Sequence, residues 1–287
     1  MTAIILLGMA LASSTYIYLS WVSHRSPGKP FSVADCINDR LPADAKRVLI
    51  LGDSLTYGTM SHNWLVDLQN QYGDDYAFIN MGWNGDLAYN AYQKVDDAIA
   101  CQPDVIGVFI GGNDVFATFG PEWTADFIAK KGLPQEPTAE WYRQNLTQIV
   151  ERLRTETDAQ ISLFTLTLYG EDLNSPQNRK MAVYSQIVEE TAAEFNLTVL
   201  PIHAKMRQFI ANKQSDYAQT CNPANFAEYR QLIRWSLIRY HFFFQSWDRM
   251  AESRGFLAQT DCAHLTSASA GIVAEELSRW LNEVASR

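Results

Sequence analysis

The sequence predicts an α/β protein built on a parallel sheet, and three observations carry that prediction. Val48-Leu49-Ile50-Leu51 is an unbroken apolar run, the pattern of a strand buried on both faces. Further strand-like runs follow at Tyr76–Ile79, Val105–Ile110, Gln160–Leu166 and Leu197–Pro201. Between them the apolar residues fall at three- and four-residue steps, and such alternation of strand and helix marks a parallel sheet covered by helices on both faces.

Taken in order, the first strand spans about Arg47 to Leu51 and stops at Gly52, with Ser54 two positions on. A serine there lies just past a strand's carboxyl end, the side on which open α/β sheets place ligands. Trp64, Leu65 and Leu68 predict a helix after it. The second strand leads into Asn80-Met81-Gly82-Trp83-Asn84-Gly85-Asp86, and Leu87 to Ala100 has helical spacing. The third ends in Gly111-Gly112-Asn113-Asp114. Pro121 can open a helix, and Thr138 caps another whose Tyr142, Leu146, Ile149 and Leu153 share a face. Gln177 to Phe195 is a further helix before the fifth strand.

From about 204 to 256 this rhythm breaks, and the span is expected to be a helical insertion. Asn222-Pro223 fits a helix start, and Phe226, Tyr229, Ile233, Tyr240 and Phe243 follow at helical steps. This aromatic stripe either packs in the core or walls a pocket for an acyl chain or a sugar. Thr266 caps a closing helix with Val273, Leu277, Trp280 and Leu281 on its inner face.

At 287 residues the chain suffices for one large domain or two small ones. Its 47% hydrophobic and 19% charged residues suit a globular core, and a net charge of −9 argues against a nucleic-acid partner. Residues 1–30 differ in kind. No charge occurs from Ala3 to Val22, a length sufficient to cross a bilayer, and Ser26-Pro27-Gly28-Lys29-Pro30 follows as a linker. The segment is expected to be a membrane anchor rather than a cleaved signal peptide, leaving residues 31–287 as the main domain. Arg25 and Lys29 after the segment favour a cytoplasmic domain, whereas four cysteines and the sequons at Asn145 and Asn196 suit an extracytoplasmic one. The extracytoplasmic placement is the expectation.

Four segments that follow strands or occupy loops supply a hydroxyl (Ser54), glycine backbone, a side-chain amide (Asn113) and an Asp-x-x-His pair (Asp261, His264). Acyl transfer needs these parts: a nucleophile, a base to take its proton, a carboxylate to orient the base, and donors for the oxyanion. Thr56 stands where the Gly-x-Ser-x-Gly elbow would require glycine, so that motif is absent. No spacing such as His-Glu-x-x-His suggests a metal, and no cofactor is implied.

In this order the blocks resemble the SGNH hydrolase superfamily, the GDSL esterases and lipases. Gly52-Asp53-Ser54-Leu55 matches the first block, Asn80 to Gly85 the second, Gly111-Gly112-Asn113-Asp114 the third and Asp261-Cys262-Ala263-His264 the last. The resemblance implies Ser54 as nucleophile, His264 as base, Asp261 as its partner, and Ser54, Gly85 and Asn113 as the oxyanion hole. It also implies a flavodoxin-like three-layer α/β/α sandwich with five parallel strands in the order 2-1-3-4-5. Two positions depart from the pattern: Leu87 after Asp86, and Cys262, where the family often has a small residue. Cys262 either pairs with Cys221 or packs as a thiol. The expected activity is hydrolysis of a small-molecule or glycan ester through an acyl-serine. O-acyl transfer to an envelope glycan, or a non-catalytic binding role on the same fold, are the alternatives. Tyr57, Trp83 and Phe243 are the candidate pocket residues.

Overall fold

The computed structural model describes residues 30–213 and 226–286, with Ser14 and Tyr18 of the amino-terminal segment. The anchor expected at Ala3–Val22 thus lies almost wholly outside the described residues. Among the described residues no helix is long and apolar enough to cross a membrane.

The chain opens with β1 (Phe31–Ser32) and α1 (Val33–Ile37), then β2 (Lys46–Gly52), α2 (Ser54–Tyr57) and α3 (Trp64–Tyr72). Next come β3 (Tyr76–Gly82), α4 (Ala88–Tyr92), α5 (Val95–Ala100) and β4 (Val105–Phe109). They are followed by α6 (Gly112–Phe116), α7 (Pro121–Lys131), α8 (Ala139–Glu156), β5 (Gln160–Phe164), α9 (Pro176–Phe195) and β6 (Thr198–Leu200). The remaining helices are α10 (Ile202–Lys213), α11 (Phe226–Phe243), α12 (Trp247–Glu252) and α13 (Ser267–Ala285).

The strands pair in parallel in the order β1-β3-β2-β4-β5-β6. The five expected strands therefore keep the expected order, and the sheet gains a sixth, two-residue edge strand that pairs Phe31 with Ile79. Alternate side chains of β2 enter different layers. Leu49 and Leu51 join Ile106, Val108 and the α8–α9 side with Tyr142 and Met181. Val48 and Ile50 join Trp64 and Leu65 of α3 with Val273 and Trp280 of α13 on the other face. Both faces of the sheet are thus sealed, and only its ends can be open to a ligand.

Some expectations need correction. The helix expected over Leu87 to Ala100 is two short ones, α4 and α5, separated by Gln93 and Lys94. Asn145 is buried in α8 and its amide donates to the Trp141 carbonyl, so that sequon is closed to a glycan in the folded state. Asn196, in contrast, caps the exposed end of α9 in a left-handed conformation. Cys36 on α1 is disulfide-bonded to Cys101 after α5. Cys262 is also disulfide-bonded, and its expected partner Cys221 lies outside the described residues.

The aromatic stripe of α11 divides. Phe226 and Tyr229 pack on Trp123 of α7, with ring centroids 4.9 and 5.0 Å away. Trp235, Tyr240, Phe242, Phe243 and Phe244 stand exposed, and Tyr18 meets Phe242 edge-on. Neither of the two sequence readings of the stripe covers its whole length.

Candidate active site

Ser54 opens α2 directly after β2. The turn is tight because Gly52 and Gly82 have no side chain. A Cβ on Gly52 would fall 2.2 Å from the Thr56 hydroxyl, and one on Gly82 would fall 2.5 Å from the Tyr57 nitrogen. Asp53 caps this short helix by accepting the Leu55 N–H at 2.9 Å. Burial raises the Asp53 carboxyl to about 7, despite that hydrogen bond and the nearby imidazole.

The Asp261–His264 loop reaches the same place from the other end of the chain. His264 Nε2 lies 3.0 Å from Ser54 Oγ, and its Nδ1 lies 2.8 Å from Asp261 Oδ2. Asp261 Oδ1 also accepts the backbone N–H groups of Ala263 and His264. This geometry requires Cys262 to adopt φ +83°, a left-handed conformation that costs a residue with a Cβ and suits glycine. Ser54, Asp261 and His264 are all buried. Burial opposes charge on the imidazole, but the Asp261 carboxylate and its hydrogen bond outweigh it, so the His264 pKa lies above the ordinary histidine value. Burial likewise opposes ionisation of Asp261, and the charge and hydrogen bonds of His264 overcome it and hold the carboxyl low.

Asn113, in α6 beyond β4, lines the same cavity as Ser54, Gly85 and His264. Its amide donates to the Asp86 carbonyl at 3.0 Å and approaches Asp53 Oδ2 at 3.4 Å. Gly85 has φ +75°, in the region natural to glycine. The structure therefore brings Ser54, Gly85, Asn113 and His264 to one cavity of about 340 Å³, with Asp261 buried behind His264. It does not bring in the three candidate pocket residues. Tyr57 and Trp83 stack on each other, 6.5 Å between centroids, and line a separate cavity near Phe31 and Asn80. Phe243 is 66% exposed beyond the packed part of α11. The cavity over Ser54 is walled instead by Trp123 and Phe127 of α7 and Phe226, Tyr229 and Ile233 of α11.

Nothing in the sequence singles out Glu171, which stands beside Asp172 in the loop after β5. It is buried and accepts the N–H groups of Leu257 and Ala258 at 2.8 and 2.6 Å, bracing the approach to the Asp-x-x-His loop. That loop closes on itself where Gln259 bridges Leu265 and the Thr260 N–H meets the His264 carbonyl at 2.7 Å. The Leu265 N–H donates to Ser61 Oγ, and the His62 N–H donates to the Leu265 carbonyl. His62 lies just before α3, with its ring on Asp67. Asp86, which follows the second block, has no role assigned from the sequence. Its buried carboxylate takes both Lys94 and Lys131, while its carbonyl holds the Asn113 amide. Among the described residues no group of three or more His, Cys, Asp or Glu side chains is placed to hold a metal.

Residues 50–224 match the GDSL-like lipase/acylhydrolase family. Among solved structures, the acetyl xylan esterase AlAXEase superposes with a TM-score of 0.54 at 18% identity, over 81% of this chain and 98% of that one. The acetylxylan esterase Axe2 from Geobacillus stearothermophilus gives 0.54 at 18%, over 83% and 95%. LAE5, an alpha/beta hydrolase from the metagenome of Lake Arreo, Spain, gives 0.55 at 16%, over 82% and 94%. At such identities the likeness is one of fold. No curated protein gives a significant match.

Proposed function

This chain belongs to the GDSL-like lipase/acylhydrolase family and is an ester-hydrolysing serine hydrolase, and on that premise we propose that it turns over through an acyl-Ser54 intermediate. Ser54 Oγ attacks the ester carbonyl while His264 Nε2 takes its proton. The carbon–oxygen bond to the alcohol then breaks, and His264 returns that proton to the departing alkoxide. A water molecule gives a proton to the same nitrogen and attacks the acyl group. The carboxylic acid leaves, and Ser54 recovers its proton. Asp261 keeps Nδ1 protonated and stabilises the imidazolium formed at each step. The N–H groups of Ser54 and Gly85 and the Asn113 amide receive the charge on the carbonyl oxygen.

The observation that carries this reading is the continuous contact from Asp261 through His264 to Ser54, 2.8 Å on one ring nitrogen and 3.0 Å on the other. The acetyl xylan esterases that share the fold support a small acyl group on a glycan or small alcohol as the substrate class. The Cys36–Cys101 disulfide and the bonded Cys262 support an oxidising, extracytoplasmic site of action. A fluorophosphonate probe tests the mechanism, because it reacts only with an activated serine. Wild-type protein is expected to be labelled and Ser54→Ala not. An unlabelled wild type, or labelling that survives the substitution, would refute it.

A further inference from the structure

Two helices wall the cavity over Ser54, and each presents a face of the same design. On α7 the lining residues are Trp123, Asp126, Phe127, Lys130 and Lys131; on α11 they are Phe226, Tyr229, Arg230, Ile233 and Arg234. Both sets follow the i, i+3, i+4, i+7, i+8 spacing of a single helical face. Apolar residues thus alternate with charged ones along the cavity, and the charges are lopsided. Among the described residues four cations line it against one carboxylate, Asp126, in a chain whose net charge is −9.

The available carboxylates do not neutralise this group. Asp126 is shared by Lys130 at 2.7 Å and Arg230 at 3.2 Å. Lys131 shares Asp86 with Lys94. Arg234 has no ion pair among the described residues and stands one helical turn from Arg230, and like charges at that spacing oppose helix formation. The end of a helix favours cations, which accounts for Lys130 and Lys131 in the last turn of α7. It does not account for two arginines in the first half of α11. The lysine nearest the chemistry is Lys131. A Cβ on Gly85 would lie 2.8 Å from its Cε, so its stem rests against the proposed oxyanion-hole residue.

Resting on the reading of Ser54 above, we propose that the physiological substrate is an anionic ester, its carboxylate or phosphate held by Arg230 and Arg234 of α11 with the lysines of α7. A guanidinium pair is suited to such oxyanions because each can donate two parallel hydrogen bonds. The net negative charge of the chain as a whole disfavours the same ligands elsewhere, so this cluster of cations is the place that attracts them. The apolar residues between the cations carry the uncharged part of the substrate.

The test compares acetate release from three acetylated oligomers of matched length: oligogalacturonide (carboxylate), poly(glycerol phosphate) (phosphate) and xylo-oligosaccharide (neutral). At low salt at least one anionic oligomer is expected to show kcat/KM about tenfold or more above the neutral one. Which of the two prevails identifies the anion. The advantage is expected to shrink in 0.5 M salt, since exposed charges are screened there, and to fall in Arg230→Gln and Arg234→Gln. A neutral oligomer hydrolysed as fast as both anionic ones, or an anionic advantage that persists in the double variant, overturns the proposal. Turnover of p-nitrophenyl acetate by the wild type is measured alongside. Its absence counts against the acyl-serine reading, whereas its presence without anionic preference counts against this inference alone.

Discussion

The floor of the cleft rests on strand ends and the wall rests on helix faces. On the floor, Ser54, Asn113, Asp261 and His264 are buried, and they are held by one another and by neighbouring backbone groups. On the wall, Arg230 and Arg234 reach solvent from a helix that packs on Trp123 through Phe226 and Tyr229 and on Trp247 and Met250 through Leu237. The floor can fix atoms to within the tolerance that bond-making demands, because a helix or strand moves only as a unit. The wall can change its residues without disturbing the sheet. On the proposed reading, reaction type is built into one region and substrate choice into the other.

Substitutions can break that division. Ser54→Ala removes the nucleophile, and turnover of p-nitrophenyl acetate should fall by about 10⁵ or more with an unchanged melting curve. Substantial residual hydrolysis would return the chemistry to some other residue. Asp261→Asn should cost about 10⁴ in kcat, by loosening the imidazole and favouring the wrong tautomer. This variant also has a pH signature. Catalysis needs His264 unprotonated, and its pKa lies above the ordinary 6.5, so the acid limb of kcat/KM should have its midpoint above that value. Replacing the carboxylate removes the main opposition to the effect of burial, so the midpoint should move to lower pH. An unmoved limb would mean that another group controls it.

Asn113→Ala should lower kcat by about 10²–10³ with little change in KM, because the lost donor acts mainly on the transition state. On the wall, Ile233→Ala should alter the ratio of butyrate to acetate ester hydrolysis by roughly tenfold, the scale on which an apolar pocket discriminates single methylenes. If Ile233→Ala instead lowered kcat for all esters equally, the separation of floor from wall would fail. The smallest effect is on stability. The folded Asp53 holds its proton up to about 7, whereas in an unfolded chain it ionises near 3.9. Between those values the unfolded state binds fewer protons, so this group makes stability fall as pH rises. In Asp53→Asn that contribution is missing, and the Tm of the variant relative to wild type should climb from pH 4 to pH 7.

The floor was legible in the sequence because its chemistry comes in short blocks, three of them directly after strands that show as apolar runs and the last an Asp-x-x-His pair ahead of the closing helix. The wall was not, although its pattern was present. Trp123-x-x-Asp126-Phe127-x-x-Lys130-Lys131 and Phe226-x-x-Tyr229-Arg230-x-x-Ile233-Arg234 share one spacing. Only the fold shows that those two faces oppose each other over Ser54. Tyr57 and Trp83 failed as pocket residues for a related reason: nearness in sequence to Ser54 and Gly85 does not say on which side of β3 a ring will lie. Phe31–Ser32 is too short for periodicity to register. Glu171 belongs to no motif, since its function is set by two N–H groups more than eighty positions away.

The left-handed backbone at Cys262 separates two features that meet in one residue. Glycine would preserve the turn that presents Asp261 and His264 while dissolving the covalent tether, and a single base change converts any cysteine codon into a glycine codon. Any other side chain would keep the strain and lose the tether. Glycine is therefore a one-mutation alternative that keeps this loop intact, and cysteine and glycine are the two residues the position favours.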